Sequence, residues 1–488
     1  MNKILKKYGS LPVQVRASAW FLICSFLQKG ISVLTTPIFT RLLTSAEYGQ
    51  YAVFNSWLGI VTIFVSLRLY FGVFTQGLVK FEDERNVFAS SMEGLCFTLV
   101  LGWTVLYLLT RNFWNSLFKL TTVQMLAMLV MIWGSAVFHF WAAEQRVTYN
   151  YRKLVLLTLA VSLAKPLVGI YFVIHAQDKV TARIFGIALV ELIGYTGLFV
   201  AQMRRGKVFY SAKYWKYALI FNLPLIPHYL SQTVLNSCDK IMIKDMVSSS
   251  AAGIYGLAYS LSQIMTLFNT ALLQTLTPWM YKKIKAGKVG AISGIAYMAM
   301  VIIALANLFL IILAPEAVAI FAPASYHDAI WVIPPVAMSV YFVFLYSFFA
   351  NFEFYFEKTK FVMTASMISA ALNVILNWIF IRIYGYYAAG YTTLFCYIVY
   401  SLGHYIFMRK ICRQYMNGVQ VYDPRILFGI SLGFMFIGFG ITFTYRHVVI
   451  RYSLVMAALL VMILKRQIII NKLKLLISLS KKSPESEN

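Results

Sequence analysis

Charged residues stand inside long apolar stretches of this sequence, among them Lys29, Arg68, Lys165 and Glu191. A charge at the centre of a bilayer costs roughly 2.5–3.5 kcal/mol on insertion scales, so each of these residues needs a compensating role. Lys165 and Glu191 lie at the same predicted depth in consecutive stretches. Two interpretations of this pair are open: an ion pair that holds two helices together, or a charged cavity wall or coupling-ion site.

The other two cations are candidates on different grounds. Lys29 has no carboxylate in its own apolar stretch, which favours a place in the lining of a polar cavity. Arg68 lies about one helical turn from the end of its stretch, so its side chain can instead reach the headgroup region. We treat both as candidate substrate-binding residues, together with Lys165 and Glu191.

A further candidate region is the stretch 217–239, which contains Asn222, Pro224, Pro227 and His228. Each proline removes an intrahelical hydrogen bond, so this helix is predicted to be kinked or broken. Broken helices at mid-membrane commonly line the path of a transported substrate. Asn222 and His228 are therefore candidate binding residues, although His228 also fits a hydrogen-bonded core residue.

Polar residues in the C-terminal half have simpler explanations. We expect Asn351, Glu353 and Glu357 to form a solvated rim at the cytoplasmic end of one helix. Asn373 and Asn377 are one helical turn apart, which favours a role in helix–helix packing.

Nothing in the sequence indicates an enzyme. No HExxH, GxxxxGK[ST] or DxD motif occurs, so the residue patterns that hold catalytic metals or nucleotide phosphates are missing. The five cysteines are scattered without CxxC spacing, which predicts neither a disulfide framework nor a metal site. We expect no catalytic residue, no cofactor and no metal, and any transport must be driven by an ion gradient, the membrane potential or consumption of the product.

The composition places these residues in a membrane. The chain is 60% hydrophobic and 12% charged, about half the charged fraction of a soluble domain, and its mean hydropathy is +0.72. Continuous apolar stretches of about 20 residues are typical of helices rather than of alternating barrel strands. We predict an all-α polytopic protein of about fourteen transmembrane helices, at residues 15–38, 48–71, 88–110, 120–143, 153–174, 181–203, 217–239, 252–280, 290–314, 328–351, 361–382, 385–408, 426–445 and 448–464.

The net charge of +26 invites a nucleic-acid interpretation, but its distribution argues against one. With the N-terminus in the cytoplasm, Lys and Arg in the inside segments outnumber those in the outside segments by about three to one, as the positive-inside rule requires. We therefore predict a multi-pass protein of the cytoplasmic (inner) membrane, with both termini cytoplasmic and no nucleic-acid partner.

A repeated segment suggests that two bundles make up the chain. RLLTSAEYGQY at 41–51 and DMVSSSAAGIY at 245–255 align without gaps, and each opens a predicted helix. Repeated halves are a common way to build a transporter. We predict an N-terminal six-helix lobe at 1–203, a cytoplasmic linker at 204–216, a C-terminal six-helix lobe at 217–408, two further helices at 426–464 and a basic cytoplasmic tail at 465–488.

Two of these segments also carry a family resemblance. TPIFTRLLTSAEYGQY at 36–51, and Asp239-Lys240 followed by SSSAAGIYGLAYSL at 248–261, resemble the oligosaccharide repeat-unit (Wzx-type) flippases. These belong to the polysaccharide transporter branch of the multidrug/oligosaccharidyl-lipid/polysaccharide exporter superfamily. Length, helix number and cytoplasmic termini agree along the whole chain.

The resemblance implies two pseudo-symmetric lobes, with the last two helices outside them, that work by alternating access. It also implies the cargo, a polyprenyl-diphosphate-linked oligosaccharide moved from the inner to the outer leaflet for O-antigen, capsule or exopolysaccharide synthesis. Related lipid II flippases keep basic residues of their first two helices in the cavity. Lys29 and Arg68 are the counterparts here, with lysine in place of the usual arginine in the first helix.

Partners implied by this reading are the lipid-linked oligosaccharide, membrane lipids, a coupling ion (H+ or Na+), and a polysaccharide polymerase with other assembly proteins. Two alternatives stay open at this stage. One is an ion-coupled multidrug exporter of the same fold, for which Glu191 would be the coupling carboxylate. The other is a membrane polymerase or acyltransferase of envelope polysaccharide, against which the short outer loops argue.

Overall fold

The computed structural model describes residues 12–467 and residue 471, and within this part of the chain every regular element is a helix. In chain order the α-helices are α1 Val13–Leu42, α2 Ser45–Ser66, α3 Val73–Lys80, α4 Arg85–Leu109, α5 Arg111–Phe118, α6 Thr122–Val147, α7 Tyr151–His175, α8 Lys179–Gly206, α9 Ala212–Asn222, α10 Ile226–Met246, α11 Ser249–Ser262, α12 Met265–Lys285, α13 Gly290–Ile312, α14 Ala314–Phe321, α15 Ala329–Tyr355, α16 Thr359–Tyr384, α17 Tyr387–Tyr415, α18 Pro424–Thr442 and α19 Val448–Leu464. Short 3-10 turns follow α9, α14 and α18, at Leu223–Leu225, Ala324–Tyr326 and Phe443–Arg446.

Nine helical segments of the described residues are long and apolar enough to cross a membrane. This finding confirms the prediction of an all-α polytopic membrane protein. Most of these segments are only partly buried, so their remaining apolar surface must face lipid. They lie in α1, α4, α6, α7, α8, α13, α15, α16 and α18.

The remaining predicted spans are also helical, but they are shorter, divided or less apolar. The predicted span 48–71 stops being helical at Ser66, and the span 217–239 consists of α9, a 3-10 turn and α10. The span 252–280 is divided between α11 and α12, and α19 has 17 residues. Prolines and polar side chains interrupt these segments, and the interruptions hold several of the candidate residues.

Contacts between Cα atoms divide the chain into two compact units, with the boundary after Ile241. The helix α9 belongs to the first unit because it packs against α3 and α4. The predicted lobe boundary at 204–216 therefore precedes the observed division, and it stays a prediction.

The first unit has an aromatic core. Phe54, Phe74, Phe88 and Phe140, from α2, α3, α4 and α6, are fully buried in one hydrophobic cluster. Around it, α8 packs along α6 and α7, and α1 packs against α7. These contacts fix the helices that carry the charged residues of this unit.

The segment 207–211, which is the non-helical part of the predicted linker 204–216, is tied to the first turns of α4. The hydroxyl of Ser90 donates to the carbonyl of Val208 over 2.9 Å, and the indole of Trp215 donates to the carbonyl of Ser91 over 2.9 Å. Hydrogen bonds from Lys213 and from Tyr214 hold the pKa of the exposed Glu84 carboxyl below its usual range. These contacts of the 207–211 segment therefore fix the position of α9 relative to α4.

The internal repeat has the same local structure in both copies. Thr44 caps α2 by accepting a hydrogen bond from the backbone N–H of Glu47, and Ser248 caps α11 by accepting one from Ala251. A hydroxyl at this position satisfies a backbone donor that the helix leaves unpaired. The matched residues thus begin equivalent helices in the two units.

In the second unit α15 is buried over most of its length and packs along α17. Asn373 and Asn377 of α16 are fully buried, and they bond to each other and to Thr393 and Thr392 of α17. This confirms their predicted role in helix–helix packing.

The predicted solvated rim on α15 is wrong for two of its three residues. Asn351 and Glu353 are buried, and a carboxylate oxygen of Glu353 lies 2.7 Å from Nδ1 of the fully buried His404 in α17. Glu357 is exposed as expected. His404 lies within the predicted span 385–408, but its depth relative to Glu353 depends on how α15 and α17 pack, which is not a local property of the sequence.

Alanine substitutions at two glycines of α4 can test whether the 207–211 segment packs against this helix. A Cβ added at Gly94 would overlap the backbone carbonyl of Phe209, which cannot rotate away, whereas one added at Gly102 meets nothing within 4 Å. We expect Gly94→Ala to destabilise the protein by about 1–3 kcal/mol, as overpacking does. Gly102→Ala should be neutral or stabilising by at most about 1 kcal/mol, because alanine favours helix.

The measurement is the thermal unfolding midpoint of each variant in the same detergent. Equal midpoints for the two variants would show that the 207–211 segment does not pack on α4.

Candidate functional site

The chain leaves α2 through a left-handed turn that carries Arg68. Leu67 has φ 49° and Arg68 has φ 47°, and Gly72 has φ 66° just before α3 begins. Left-handed conformations cost a residue other than glycine about 1–3 kcal/mol, and they persist only where the surroundings hold them. Such strained residues cluster at functional sites, which directs attention to Arg68.

The interruption after α9 lies against this turn. The 3-10 turn Leu223–Leu225 contains Pro224 and separates α9 from α10, which confirms the predicted break in this span. The amide nitrogen of Asn222, at the end of α9, donates to the carbonyl oxygen of Leu67 over 2.5 Å. The Asn222 side chain thus links the end of α9 to the end of α2, the two places where the helices are interrupted.

Asn222 was predicted to line a cavity, and this stays a prediction. Its side chain is fully buried in the structure, because the carbonyl of Leu67 has lost its helical partner and requires a donor. Asn222 thereby positions the turn that carries Arg68.

The guanidinium of Arg68 is held from one side by α10. It lies 5.6 Å from the centre of the Tyr229 ring, and one of its terminal nitrogens donates to the Thr233 hydroxyl over 3.3 Å. Arg68 forms no ion pair with any residue that the structure describes. Its charge is consequently available to an anionic ligand.

His139 of α6 connects Arg68 with two other cations. Its ring stacks on Tyr70, with ring centres 4.8 Å apart, and it experiences the positive charges of Arg68, Arg146 and Lys165. We call the three cations around this ring, Arg68, Arg146 and Lys165, the cationic cluster. They come from the α2–α3 turn, α6 and α7, so they share one part of the first unit.

Lys165 and Glu191 form the ion pair that their matching depths predicted. The ammonium of Lys165 lies 2.5 Å from a carboxylate oxygen of Glu191. Gly134 of α6 packs closely against Glu191, since a Cβ added at this glycine would lie 3.4 Å from the Glu191 Cβ. Glu191 is buried, whereas 30% of the Lys165 side chain is exposed. The pair therefore links α7 to α8 and still leaves its cation accessible, so both earlier interpretations stay open.

The last two candidates remain predictions. Lys29 is exposed on α1, whose neighbour is α7, the helix that carries Lys165. His228 is half-buried on α10, next to the Tyr229 that contacts Arg68.

Several ionisable residues inside predicted spans escaped the sequence analysis, and His139 and Glu93 are two of them. His139 is the centre of the cationic cluster, and Glu93 of α4 is almost fully buried near the pair formed by Glu144 and Arg205. Both could have been found from the sequence, since an ionisable residue within an apolar span is a candidate by default. Their contacts could not, because they depend on which helices pack together.

The structure offers no catalytic arrangement at these residues. No group of histidine, cysteine, aspartate or glutamate among the residues described could hold a metal ion. The sequence Gly429 to Gly433 fits the GxSxG pattern of serine hydrolases, but it lies inside α18. A serine nucleophile of that kind requires a sharp strand-to-helix turn, and here Ser431 contacts the hydroxyl of Tyr341. The cationic cluster is suited instead to holding an anion.

Comparison with known proteins places these features in a family context. The model of the family described as polysaccharide biosynthesis protein matches residues 15–283. The chain is also 22% identical over 379 residues to the Lsg locus putative protein 1 of Haemophilus influenzae, covering 73% of this chain and 88% of that protein.

Solved structures with the same architecture include two transporters. The lipid II flippase MurJ in an inward closed conformation superposes with a TM-score of 0.68 at 13% identity, covering 92% of this chain and 99% of that one. A multidrug resistance MATE family transporter of the MOP superfamily, in an inward-facing conformation, gives a TM-score of 0.61 at 13% identity, covering 80% and 96%. At such identities the likeness establishes the fold and nothing beyond it.

The Lys165–Glu191 pair can be tested for its two roles separately. Removing one partner of a buried pair costs about 3–5 kcal/mol, and the partial exposure of Lys165 places Lys165→Ala at the lower end of that range. In the double variant Lys165→Ala/Glu191→Gln the uncompensated charge is gone, so stability should largely return. We expect binding of a diphosphate anion to stay weak in this double variant, because the accessible cation is still missing.

The measurements are thermal stability and the affinity for pyrophosphate of the single and double variants. Recovery of both stability and affinity would show that the pair is purely structural.

Proposed function

Because the chain belongs to the polysaccharide biosynthesis protein family, we propose that it is a flippase for a lipid-linked oligosaccharide. Its cargo is a polyprenyl-diphosphate-linked repeat unit, which it moves from the inner to the outer leaflet for O-antigen, capsule or exopolysaccharide synthesis. The observation that carries this proposal is the cationic cluster held inside an apolar bundle, in a protein with a transporter fold.

The chemistry of such a cargo fits the cluster. A sugar head that enters hydrocarbon loses many hydrogen bonds, and each costs several kcal/mol if nothing replaces it. The diphosphate adds negative charge, which arginine binds with strong, paired hydrogen bonds. Arg68 and Arg146, which form no ion pair with the described residues, are cations suited to this task.

We assign a role to each candidate residue on this basis. Arg68 and Lys165 bind the diphosphate, with Lys29 as a third cation on α1. Glu191 orients Lys165, and Asn222 orients Arg68. His228 contributes a polar group on α10 beside Tyr229.

The membrane arrangement follows from the charge pattern and the family. We propose about fourteen transmembrane helices in the cytoplasmic membrane, with both termini in the cytoplasm. The chain comprises two six-helix lobes and two added C-terminal helices, and it works by alternating access. No ATP-binding motif was found in the sequence, so the driving force is a coupling ion, H+ or Na+, the membrane potential, or consumption of the product by a polymerase and other assembly proteins.

The proposal is tested with proteoliposomes that contain a fluorescent polyprenyl-diphosphate oligosaccharide. Quenching from outside reports how fast labelled heads cross the bilayer, and the protein should accelerate this crossing. A hydrogen bond to a charged group contributes about 1.5–3 kcal/mol, so Arg68→Gln should slow crossing roughly 10- to 100-fold at low substrate concentration.

The matched control is Arg382→Gln in the second unit. Arg382 also lies over an aromatic ring, that of Trp378 at 4.2 Å, but it is exposed at the end of α16. Crossing should be unchanged in this variant. Crossing no faster than in empty liposomes, together with expulsion of a cationic dye on imposing a pH gradient, would replace the flippase proposal with multidrug export.

A further inference from the structure

Glu93 of α4 is an acidic residue that is buried within the first unit. Only 1% of its surface is exposed, and neither oxygen of its carboxyl group has a hydrogen-bond partner among the residues that the structure describes. An ionised carboxylate without a partner is strongly unfavourable in such surroundings, and the group takes up a proton instead. Glu93 is therefore a neutral carboxylic acid in this conformation.

The cation that acts on Glu93 is already paired with another carboxylate. Glu93 experiences the positive charge of Arg205 in α8 and the negative charge of Glu144 in α6. The guanidinium of Arg205 donates to both carboxylate oxygens of Glu144, over 2.8 and 3.0 Å. Two ionised carboxylates and one guanidinium would leave a net negative charge in this place, and one proton on Glu93 removes it.

Gln202, about one turn before Arg205 on α8, adds a second polar group without a full set of partners. It is 1% exposed, and its amide nitrogen lies 3.5 Å from a carboxylate oxygen of Glu144. Its side-chain carbonyl oxygen has no hydrogen-bond donor within the described ranges. We call Glu93, Glu144, Gln202 and Arg205 the carboxylate cluster. The unsatisfied atoms of this cluster are all acceptors, so it lacks a donor such as an acidic O–H.

A proton suits the carboxylate cluster better than a metal ion does. Hard cations prefer six or more oxygen ligands. Arg205 engages both oxygens of Glu144, which leaves three side-chain oxygens in the cluster, two on Glu93 and one on Gln202. No group of histidine, cysteine, aspartate or glutamate in the described part of the chain could hold a metal ion. The chemistry of the cluster therefore favours H+ over Na+.

The other helices that pack against α4, namely α2, α3, α5 and α9, direct their charges elsewhere. The charges of α2 and α5 lie towards the opposite end of α4, since Tyr51 of α2 stacks on Arg183 at the start of α8 and α5 follows the last turn of α4. Near the first turn of α4, the titratable side chains bond to or stack on one another, namely Lys80, Glu84, Lys213, Tyr214 and Tyr217. Within α4 itself, the buried thiol of Cys96 is close to Glu93. The charge state of Glu93 consequently depends on the ion pair of the cluster.

The carboxylate cluster lies at the end of the first unit that faces the cytoplasm in the proposed topology. Arg205 is in the last turn of α8, and 44% of its side chain is exposed, whereas the Glu144 side chain is buried. The 207–211 segment packs against the adjoining turns of α4, where the carbonyl of Val208 accepts a hydrogen bond from Ser90. Arg205 therefore connects water to a group of side chains that is otherwise sealed.

We propose that Glu93 binds the proton that couples transport to a proton gradient, and that it exchanges this proton with the cytoplasm past Arg205. The bound proton forms an O–H bond on one carboxyl oxygen of Glu93. When this end of the unit opens, that bond breaks, the proton passes to water, and a hydrated carboxylate remains. The inference rests on the proposed function for the transport step, and it selects H+ among the driving forces named there.

The proton site is tested first by chemical labelling of the full chain in liposomes. Dicyclohexylcarbodiimide, an apolar reagent, adds to protonated carboxyl groups in apolar surroundings, and peptide mass spectrometry identifies the modified residue. We expect Glu93 to be labelled at mildly acidic pH. Its labelling should fall about tenfold for each pH unit once the carboxyl group ionises.

Glu82 is the internal control for labelling. Its side chain is 73% exposed and bonded to Arg85 over 2.9 Å, so it should stay unlabelled. Labelling in sodium chloride is compared with labelling in choline chloride at the same pH, and we expect no difference. Protection of Glu93 by sodium would overturn the proposal in favour of Na+. An unlabelled Glu93, or labelling that stays constant from mildly acidic to alkaline pH, would overturn it as well.

The coupling role is tested with the flipping assay under a pH gradient, acidic outside. A gradient of one pH unit should accelerate crossing by the wild-type protein up to about tenfold. Glu93→Gln keeps the shape and neutrality of the protonated carboxyl group, so it should keep the thermal unfolding midpoint and lose the response to the gradient. Glu93→Asp restores a titratable group and should regain part of the response. The control Glu82→Gln should respond as the wild type does.

The outcomes separate this inference from the flippase proposal. A response of Glu93→Gln equal to that of the wild type would overturn the coupling role. Absence of crossing in the wild type would instead refute the flippase proposal, and labelling, which needs no transport, then decides the proton site alone.

Discussion

The structure of the first unit depends on how it satisfies the backbone where two membrane helices are interrupted. Hydrocarbon offers no hydrogen-bond partner, so a carbonyl released by a broken helix must find a donor within the protein. The carbonyl of Leu67 finds it in the side chain of Asn222, which itself ends α9. One amide thus stabilises both interruptions and determines that they lie together.

The hydrogen bond between Asn222 and Leu67 determines where the positive charge of Arg68 lies. The left-handed turn at Leu67 and Arg68 is unfavourable in isolation and needs its surroundings to hold it. Once held, it brings the arginine beside Tyr229 and Thr233 of α10 and near His139 of α6. A charge presented by a rigid turn loses little entropy when it binds an anion. The cost of the strained turn is therefore offset by a binding group that is already in position.

The sequence predicted some of this arrangement and not the rest, for identifiable reasons. Hydropathy and proline chemistry are local properties, so the helical class and the break after Asn222 could both be predicted. The pairing of Lys165 with Glu191 was also accessible, because two consecutive helices form a hairpin and matching depths bring residues together. Equivalent capping hydroxyls at Thr44 and Ser248 followed from the repeat.

Contacts between helices that are distant in the chain could not be predicted from local properties of the sequence. Nothing local indicates that Asn222 would reach Leu67, or that Glu353 would be buried against His404. The sequence analysis placed Arg68, a candidate substrate-binding residue, within a predicted helix. The left-handed turn that carries it could not be predicted, since left-handed residues other than glycine leave no clear pattern in a sequence.

We propose that Asn222 acts on the substrate through Arg68. A double-mutant cycle with Asn222→Ala and Arg68→Gln, read out as the affinity of the purified protein for a polyprenyl diphosphate, tests it most directly. Residues that act as one unit give non-additive effects, with interaction free energies of about 0.5–3 kcal/mol. The account predicts that each single variant weakens binding and that the double variant binds about as weakly as Arg68→Gln alone. Fully additive losses, or a loss in Asn222→Ala that persists unchanged once Arg68 is replaced, would contradict it.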